Sequence, residues 1–447
     1  MYRQEDAEKI TSNLSKITND AAKVFLDNYQ EPSSKVYNSV MSEIKNYIKK
    51  KGLIIYGGYA QNSLIGAKNK NDEFYSEISR ADLEIYSPNP IGDAIALTDL
   101  LYNLGYKNVE CKEGMHNETY KLFVDFLNFS DISYMDQHIY NNCPYIIVDG
   151  LKMTHPHFML VDAYRVYADP MTSYFRLEKT FTRFSTLLKY YPFDVKAEYN
   201  KLSYKRTDEN DKLLRFVRKH IIQNSKLIVI GHYAFNYLVK KLDDKNAIDF
   251  DYIQLVSTDF KNDFDKINKI IKDEYKNKAY YTRYNPFFQF YDEHVEFSYN
   301  GKVFLKLYGN NSRCIVHNFS DKKRTYFATV LLTILYLLAD YNYAIINKDK
   351  NEEMNYLSLI VRLFKIRNKY LESRNLSILD KSPFQEFTLK CIGTPEEPIR
   401  TSLLRGLEKM KSGKRMKFSY RSTGTPGKTP NFKFNNSSGL PFKKSSK

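Results

Sequence analysis

The sequence predicts an α/β (α+β) fold: two tandem mixed-sheet units, the second a degenerate copy of the first, with helices flanking both. Three observations predict it. An apolar run, Leu53-Ile54-Ile55-Tyr56, ends in Gly57-Gly58 and leads at once into a helical pattern from Tyr59 to Ile65. That order reads as buried strand, turn and helix. Downstream, Ala81-Asp82-Leu83-Glu84-Ile85-Tyr86-Ser87 alternates as a strand does, with Asp82 and Glu84 on one face. Finally, the first run recurs at an offset of 174 residues, Gly57 to Gly231, where Leu227-Ile228-Val229-Ile230-Gly231-His232-Tyr233-Ala234-Phe235-Asn236 tracks 53–62 without a gap.

Taken in order, residues 5–30 place Ile10, Leu14, Ile17, Ala21 and Val24 at helical spacing, and 35–50 do the same with Val36, Val40, Ile44 and Ile48. Two helices therefore lead into the strand at Leu53. After Ser87 a helix is expected over 92–104, a strand over 109–114, a strong strand over 120–127 and another over 132–135. Phe158 to Tyr191 suits two helices broken at Asp169-Pro170. In the second copy, 251–257 stands for 81–87, 302–307 is matched to 120–127, and Ser312-Arg313-Cys314-Ile315 to Ser130-Asp131-Ile132-Ser133. Residues 322–410 read as helices, with Val330 to Leu338 buried. The expected domains are N-terminal helices over 1–50, a first unit over 51–190, a helical linker over 191–225, a second unit with C-terminal helices over 226–410, and a basic disordered tail over 411–447.

Bulk properties agree. The chain of 447 residues exceeds one ordinary core and fits two or three domains. Its net charge of +16 is uneven: 411–447 hold ten Lys and Arg and no acid, leaving 58 Lys and Arg against 52 Asp and Glu in the remainder. A basic tail on a mildly basic body suits a polyanionic partner. The 38 Tyr and 29 Phe can stack bases as well as fill cores. Cys111, Cys143, Cys314 and Cys391 show no metal-ligand spacing and no disulfide framework, which points to a reducing compartment. The longest apolar run, 330–339, is about half of what a bilayer requires, so no membrane span is expected. His155 and His157 flank Pro156 without a third ligand nearby and read as a surface turn.

The chemistry follows from the first unit. A strand, a Gly-Gly turn and a helix bring backbone N–H groups close to a phosphate. Two carboxylates on the neighbouring strand suit two divalent cations, which activate a hydroxyl and support a leaving pyrophosphate. In the second copy Asp82 becomes Tyr252, Glu84 becomes Gln254 and Asp131 becomes Arg313, while the fold-forming positions persist. Hard cations need anionic oxygens, so that copy has lost the site. Asp125 and Asp131 both lie on candidate strands for a third carboxylate. Asp131 is favoured because its element aligns in both copies.

Gly57-Gly58-Tyr59-Ala60-Gln61-Asn62, Asp82-Leu83-Glu84-Ile85-Tyr86-Ser87 and Asp131-Ile132-Ser133-Tyr134 together resemble the nucleotidyltransferase superfamily. More narrowly, they resemble the poly(A) polymerases of large cytoplasmic DNA viruses, as do the Asp169-Pro170 segment and the pairing of an active transferase domain with an inactive one. The resemblance spans roughly 50–400. It implies that Gly57 and Gly58 hold the triphosphate, that Asp82, Glu84 and Asp131 bind two Mg²⁺ or Mn²⁺, and that AMP from ATP is added to a single-stranded RNA 3′ end. Lys179 or Arg183 is expected to touch the triphosphate. The family includes homodimers and members with a separate processivity partner, acting in the host cytoplasm and viral factory or packaged in the virion. Departures from the pattern are Gly58 where many members carry Ser, a long Gly58-to-Asp82 spacing, and Glu84 where most carry Asp. Alternatives are a CCA-adding, uridylylating or cyclic-oligonucleotide-forming enzyme, and an inactive RNA-binding scaffold.

Overall fold

The computed structural model describes residues 2–76, 79–194, 207–223, 225–242, 245, 247–310, 314–395, 398–411 and 418–445. In chain order the elements are α1 (Gln4–Asn28), α2 (Ser34–Lys51), β1 (Ile54–Tyr56), α3 (Gly57–Gly66), β2 (Leu83–Ser87), α4 (Pro90–Asn103), β3 (Glu110–Glu113), β4 (Thr119–Val124), β5 (Leu127–Tyr134), α5 (Gln137–Asn142), β6 (Tyr145–Val148) and β7 (Leu151–Thr154). There follow α6 (Pro156–Ala168), α7 (Pro170–Tyr190), α8 (Asp208–Phe216), β8 (Ile228–Ile230), α9 (Gly231–Val239), β9 (Ile253–Ser257), α10 (Phe260–Tyr275), β10 (Ala279–Tyr284), β11 (His294–Tyr299) and β12 (Lys302–Gly309). The chain ends with β13 (Ile315–Ser320), β14 (Thr325–Ala328), α11 (Val330–Ile346), α12 (Lys350–Glu372), β15 (Cys391–Ile392), α13 (Pro398–Lys411), β16 (Ser419–Arg421) and β17 (Pro441–Lys444).

Two compact units result: Met1–Met135 with Tyr145–Thr154 and Ser402–Phe434, and Asp136–Pro144 with His155–Thr401 and Asn435–Lys447. The first holds a mixed sheet in the order β16-β3-β4-β5-β2-β1-β7-β6. The second holds β17-β10-β11-β12-β9-β8-β14-β13-β15, the same order with β15 added at one edge. Pairing directions also match. β1 with β2 and β8 with β9 are antiparallel, whereas β2 with β5 and β9 with β12 are parallel.

Local devices repeat too. Asn62 Oδ1 accepts the Phe74 N–H at 2.8 Å, and Asn236 Oδ1 accepts the Ile248 N–H at 2.9 Å. Ser87 Oγ donates to Asp93 and accepts from the Asn89 N–H, as Ser257 does with Asp263 and Asp259. Burial follows period: Leu83 and Ile85 are buried on one face of β2, and Val40, Met41, Ile44 and Ile48 form the buried stripe of α2. The expected buried helix is α11, apolar nearly all round.

Several expectations are corrected. β12 occupies the place of β5, not that of β4, because it pairs parallel with β9 as β5 does with β2. Both β5 and β12 carry a bulge, at Phe129 and Phe304. These phenylalanines precede Asp131 and Lys306 by two residues, so Lys306 rather than Arg313 stands where Asp131 stands. Arg313 lies outside the described residues. The helices at 156–190, expected with the first domain, belong to the second unit, where α6 buries Phe158, Met159, Leu160 and Val161 and packs on α11.

The tail is not wholly unordered. β16 pairs with β3 and β17 with β10, closing the equivalent edge of each sheet. Aromatic anchors explain this: Phe434 stacks on Tyr134 at 4.4 Å, and Phe418 meets Tyr120 edge-on at 5.6 Å. His155 is no surface turn. It caps α6 by accepting the His157 N–H, and His157 stacks on Phe193. Cys314 and Cys391, 77 residues apart, form a disulfide between β13 and β15, a pairing that spacing could not reveal. Among the described residues no helix is long and apolar enough to cross a membrane.

Candidate active site

The site is assembled at the junction of β1, α3, β2 and β5. Gly57 has φ +68, and a Cβ there would lie 1.8 Å from Glu84 Oε2, so glycine is required twice over. The chain turns at once into α3, where the Gly58 N–H donates to Glu84 Oε2 at 2.7 Å. Glu84 thus caps the helix that presents the Gly-Gly turn. Asp82 immediately precedes β2 and shares a face with Glu84, since Leu83 between them is fully buried on the other. Across the parallel pair, Glu84 and Asp131 are register partners.

Asn128 joins the set. Its Nδ2 donates to Asp82 Oδ2 at 3.1 Å and to Asp131 Oδ1 at 2.9 Å. In a regular strand residues three apart face opposite ways, but the bulge at Phe129 restores Asn128 to the face of Asp131. Lys121, the register partner of Asp131 on β4, donates to its carboxylate at 2.6 Å. The sequence reading missed both residues. Alternation along 119–124 would have aimed Lys121 correctly, whereas nothing local announces the bulge. Asp125 is not an alternative third carboxylate in this geometry: it sits in the β4–β5 turn with φ +46 and accepts from Asn108.

Gly57, Gly58, Asp82, Glu84 and Asp131 are therefore gathered in one unit. Lys179 is exposed on α7 of the other unit, as part of a 21-residue helix. Among the described residues no three acidic, His or Cys side chains converge at metal-ligand spacing. Asp131 is turned onto Lys121 and Glu84 onto the Gly58 N–H. The residues are nonetheless of the hard-oxygen kind that Mg²⁺ or Mn²⁺ takes: three carboxylates on or beside adjoining strands, with Asn128 Oδ1 buried and without a hydrogen-bond partner among the described residues.

The second unit keeps the scaffold and inverts the chemistry. Gly231 has φ +59, and a Cβ there would meet Gln254 Oε1 at 1.7 Å. His232 replaces Gly58 and is buried against Tyr356 and Tyr252. Gln254 donates to Asp340 at 2.8 Å. Lys306 pairs with Glu296 at 2.7 Å, which swaps the Lys121–Asp131 pair end for end in the same register. Its ammonium lies 4.7 Å from the Tyr252 ring centroid. Burial opposes the Lys306 charge, but Glu296, Tyr252, Tyr308 and Asp340 together outweigh burial and hold its pKa well above the ordinary value. Burial, then Lys306, pushes the His232 pKa down to about 3. A tethered ammonium thus stands where the first unit has the Asp131 carboxylate.

The family model described as "Poly(A) polymerase catalytic subunit" matches residues 42–173. A second, for the C-terminal part of a provisionally named mimivirus (APMV) poly(A) polymerase catalytic subunit, matches 185–445, more than half of the chain. A provisionally named poly(A) polymerase catalytic subunit of Acanthamoeba polyphaga mimivirus is 28% identical over 460 residues, covering 94% of this chain and 78% of that one. One of the same description from African swine fever virus (strain Badajoz 1971 Vero-adapted) is 30% identical over 172 residues, 37% of this chain and 36% of its own. The crystal structure of the Megavirus polyadenylate synthase is similar with a TM-score of 0.93 at 29% identity, covering 99% of this chain and 93% of that one.

Proposed function

The chain belongs to the viral poly(A) polymerase catalytic-subunit family, and from that premise we propose that it builds the poly(A) tails of viral mRNA. AMP would pass from ATP to a single-stranded RNA 3′ end at a centre of two divalent cations. The observation that carries this reading is the asymmetry between equivalent sites: Asp82, Glu84 and Asp131 in one unit, Tyr252, Gln254 and Lys306 in the other.

Asp82, Glu84 and Asp131 would hold Mg²⁺ or Mn²⁺, which when bound supplies Lewis-acid activation of the 3′-hydroxyl and neutralises charge on the triphosphate. The protein's own part is position and field. Glu84 ties the acidic strand to the Gly57-Gly58 turn through the Gly58 N–H, and the other N–H groups at the start of α3 would be the ones to meet the triphosphate. Asn128 keeps Asp82 and Asp131 together, and Lys121 offsets the charge of Asp131. Lys179 is proposed as a further triphosphate contact. The protein would act in the host cytoplasm, and as a homodimer. In support of the dimer, α1 buries no residue and leaves Leu14, Ile17, Val24 and Phe25 more than half exposed.

The test is extension of a short RNA with each of the four nucleoside triphosphates in turn, with Mg²⁺ or Mn²⁺. Lengthening with ATP alone is expected. Preferential use of UTP or CTP, a cyclic product, or tight RNA binding with no turnover would contradict the proposal.

A further inference from the structure

Behind α9 in the second unit lies a cavity of about 340 Å³, roughly one nucleotide in size. Tyr233 and Tyr237 line it from one face of α9, joined by Lys240 just past the end of that helix, Arg218, Phe250 and, from the β13–β14 turn, Lys323. Arg218 lies 4.8 Å from the Tyr233 ring centroid and Lys323 5.1 Å from the same centroid. Among the described residues neither cation is paired with a carboxylate, and Arg218 Nε is buried without a hydrogen-bond partner. Asp249 is the one described acid of the lining. Burial first, then Arg218, Lys240, Lys241 and Lys322, lowers the Lys323 pKa, as expected where cations gather.

The first unit has the counterpart of this cavity, smaller at about 240 Å³. There Lys45 covers Tyr59 at 5.0 Å, as Arg218 covers Tyr233, but the β6–β7 turn supplies Asp149 rather than a lysine. The first-unit cavity sets Lys45 and Lys49 against Asp149, whereas the second sets Arg218, Lys240 and Lys323 against Asp249, so the copy that lost its cation-holding acids has the more basic cavity. Cations set among tyrosines and a phenylalanine, with room for one nucleotide, match a phosphodiester with a base beside it.

We propose that this cavity is a binding site for single-stranded RNA, separate from the reaction centre, with Arg218, Lys240 and Lys323 on the phosphate. The proposal rests on the reading that the chain works on RNA. It is tested with the full chain by fluorescence anisotropy of a labelled ten-nucleotide RNA across a salt series. Arg218→Gln and Lys323→Gln are each expected to weaken binding about five- to tenfold and to lower the salt slope by about 0.7. Arg218→Lys should keep most of the affinity, and Asp249→Asn should tighten binding, which a folding defect would not do. AMP addition at saturating RNA should keep its kcat while KM for RNA rises.

Affinities equal to the unmodified protein's would overturn the proposal. So would loss of AMP or inorganic phosphate binding with RNA affinity unchanged, which would make the cavity a site for free phosphate esters. Unmodified protein that binds RNA but never extends it would sink the catalytic reading instead, and the variants' affinities would still decide this one.

Discussion

Gly57 shows how tightly a single residue is held by the chemistry around it. Its positive φ and the nearness of Glu84 leave no room for a methyl group. Gly57→Ala is expected to cost about 1–2 kcal/mol in backbone strain and, by displacing Glu84, about a hundredfold in AMP addition. Steady-state kinetics with a thermal melt would show both, and full activity would refute the geometry. The same scale shows what the sequence concealed. Gly57, Gly58, Asp82 and Glu84 were legible because they are near one another in the chain and alternate. Asn128 was not, because the bulge at Phe129 reverses its facing. Lys306 was misplaced for the same reason, since its own bulge at Phe304 hides its equivalence to Asp131.

At the scale of elements, the buried ionic pair across β11 and β12 stands in the register of the Lys121–Asp131 pair with its charges exchanged. Lys306 is only 20% exposed and Glu296 13%. Lys306→Met should cost about 3 kcal/mol or more, because Glu296 and Asp340 lose their cation. Removing both partners with Lys306→Met and Glu296→Gln should recover part of that loss in chemical denaturation, whereas additive losses would deny the pairing.

Acid should also loosen this unit. Burial holds His155 near a pKa of about 4, and His232 and His294 near about 3, against the ordinary 6.5. The unfolded chain takes protons below that value and the folded one does not. Their stabilising contribution is therefore present above pH 6.5 and is lost as pH falls toward 3–4. Asp340 opposes this. Burial raises its pKa to about 6, so its contribution is present below the ordinary 3.8 and lost as pH rises through 6. His157 and His317, also lowered by burial, act with these three, and Glu386, raised by burial, acts with Asp340. The more numerous histidines predict a lower melting temperature at pH 5 than at pH 7, and an equal or higher one would contradict their burial. The tail strands β16 and β17 belong to this scale too. Composition hid them, because a few aromatic anchors among Ser, Gly and Lys suffice once a sheet edge is waiting.

On the scale of the whole molecule, the chain is one α/β plan used twice. That much was legible in 53–62 and 227–236, because strand, glycine turn and helix are local patterns. The boundaries were not, since α6, α7 and the tail are assigned by packing that leaves no local trace. Nor was the Cys314–Cys391 link, which depends on β13 meeting β15. On the proposed reading, catalysis belongs to the first unit alone. The most direct check is single AMP addition to a short RNA by Asp82→Asn, with RNA affinity and melting temperature measured on the same sample. The account predicts a rate lower by roughly a thousandfold, about 4 kcal/mol of barrier, with binding and stability unchanged. A rate within a few-fold of the unmodified protein's would place the reaction elsewhere in the chain.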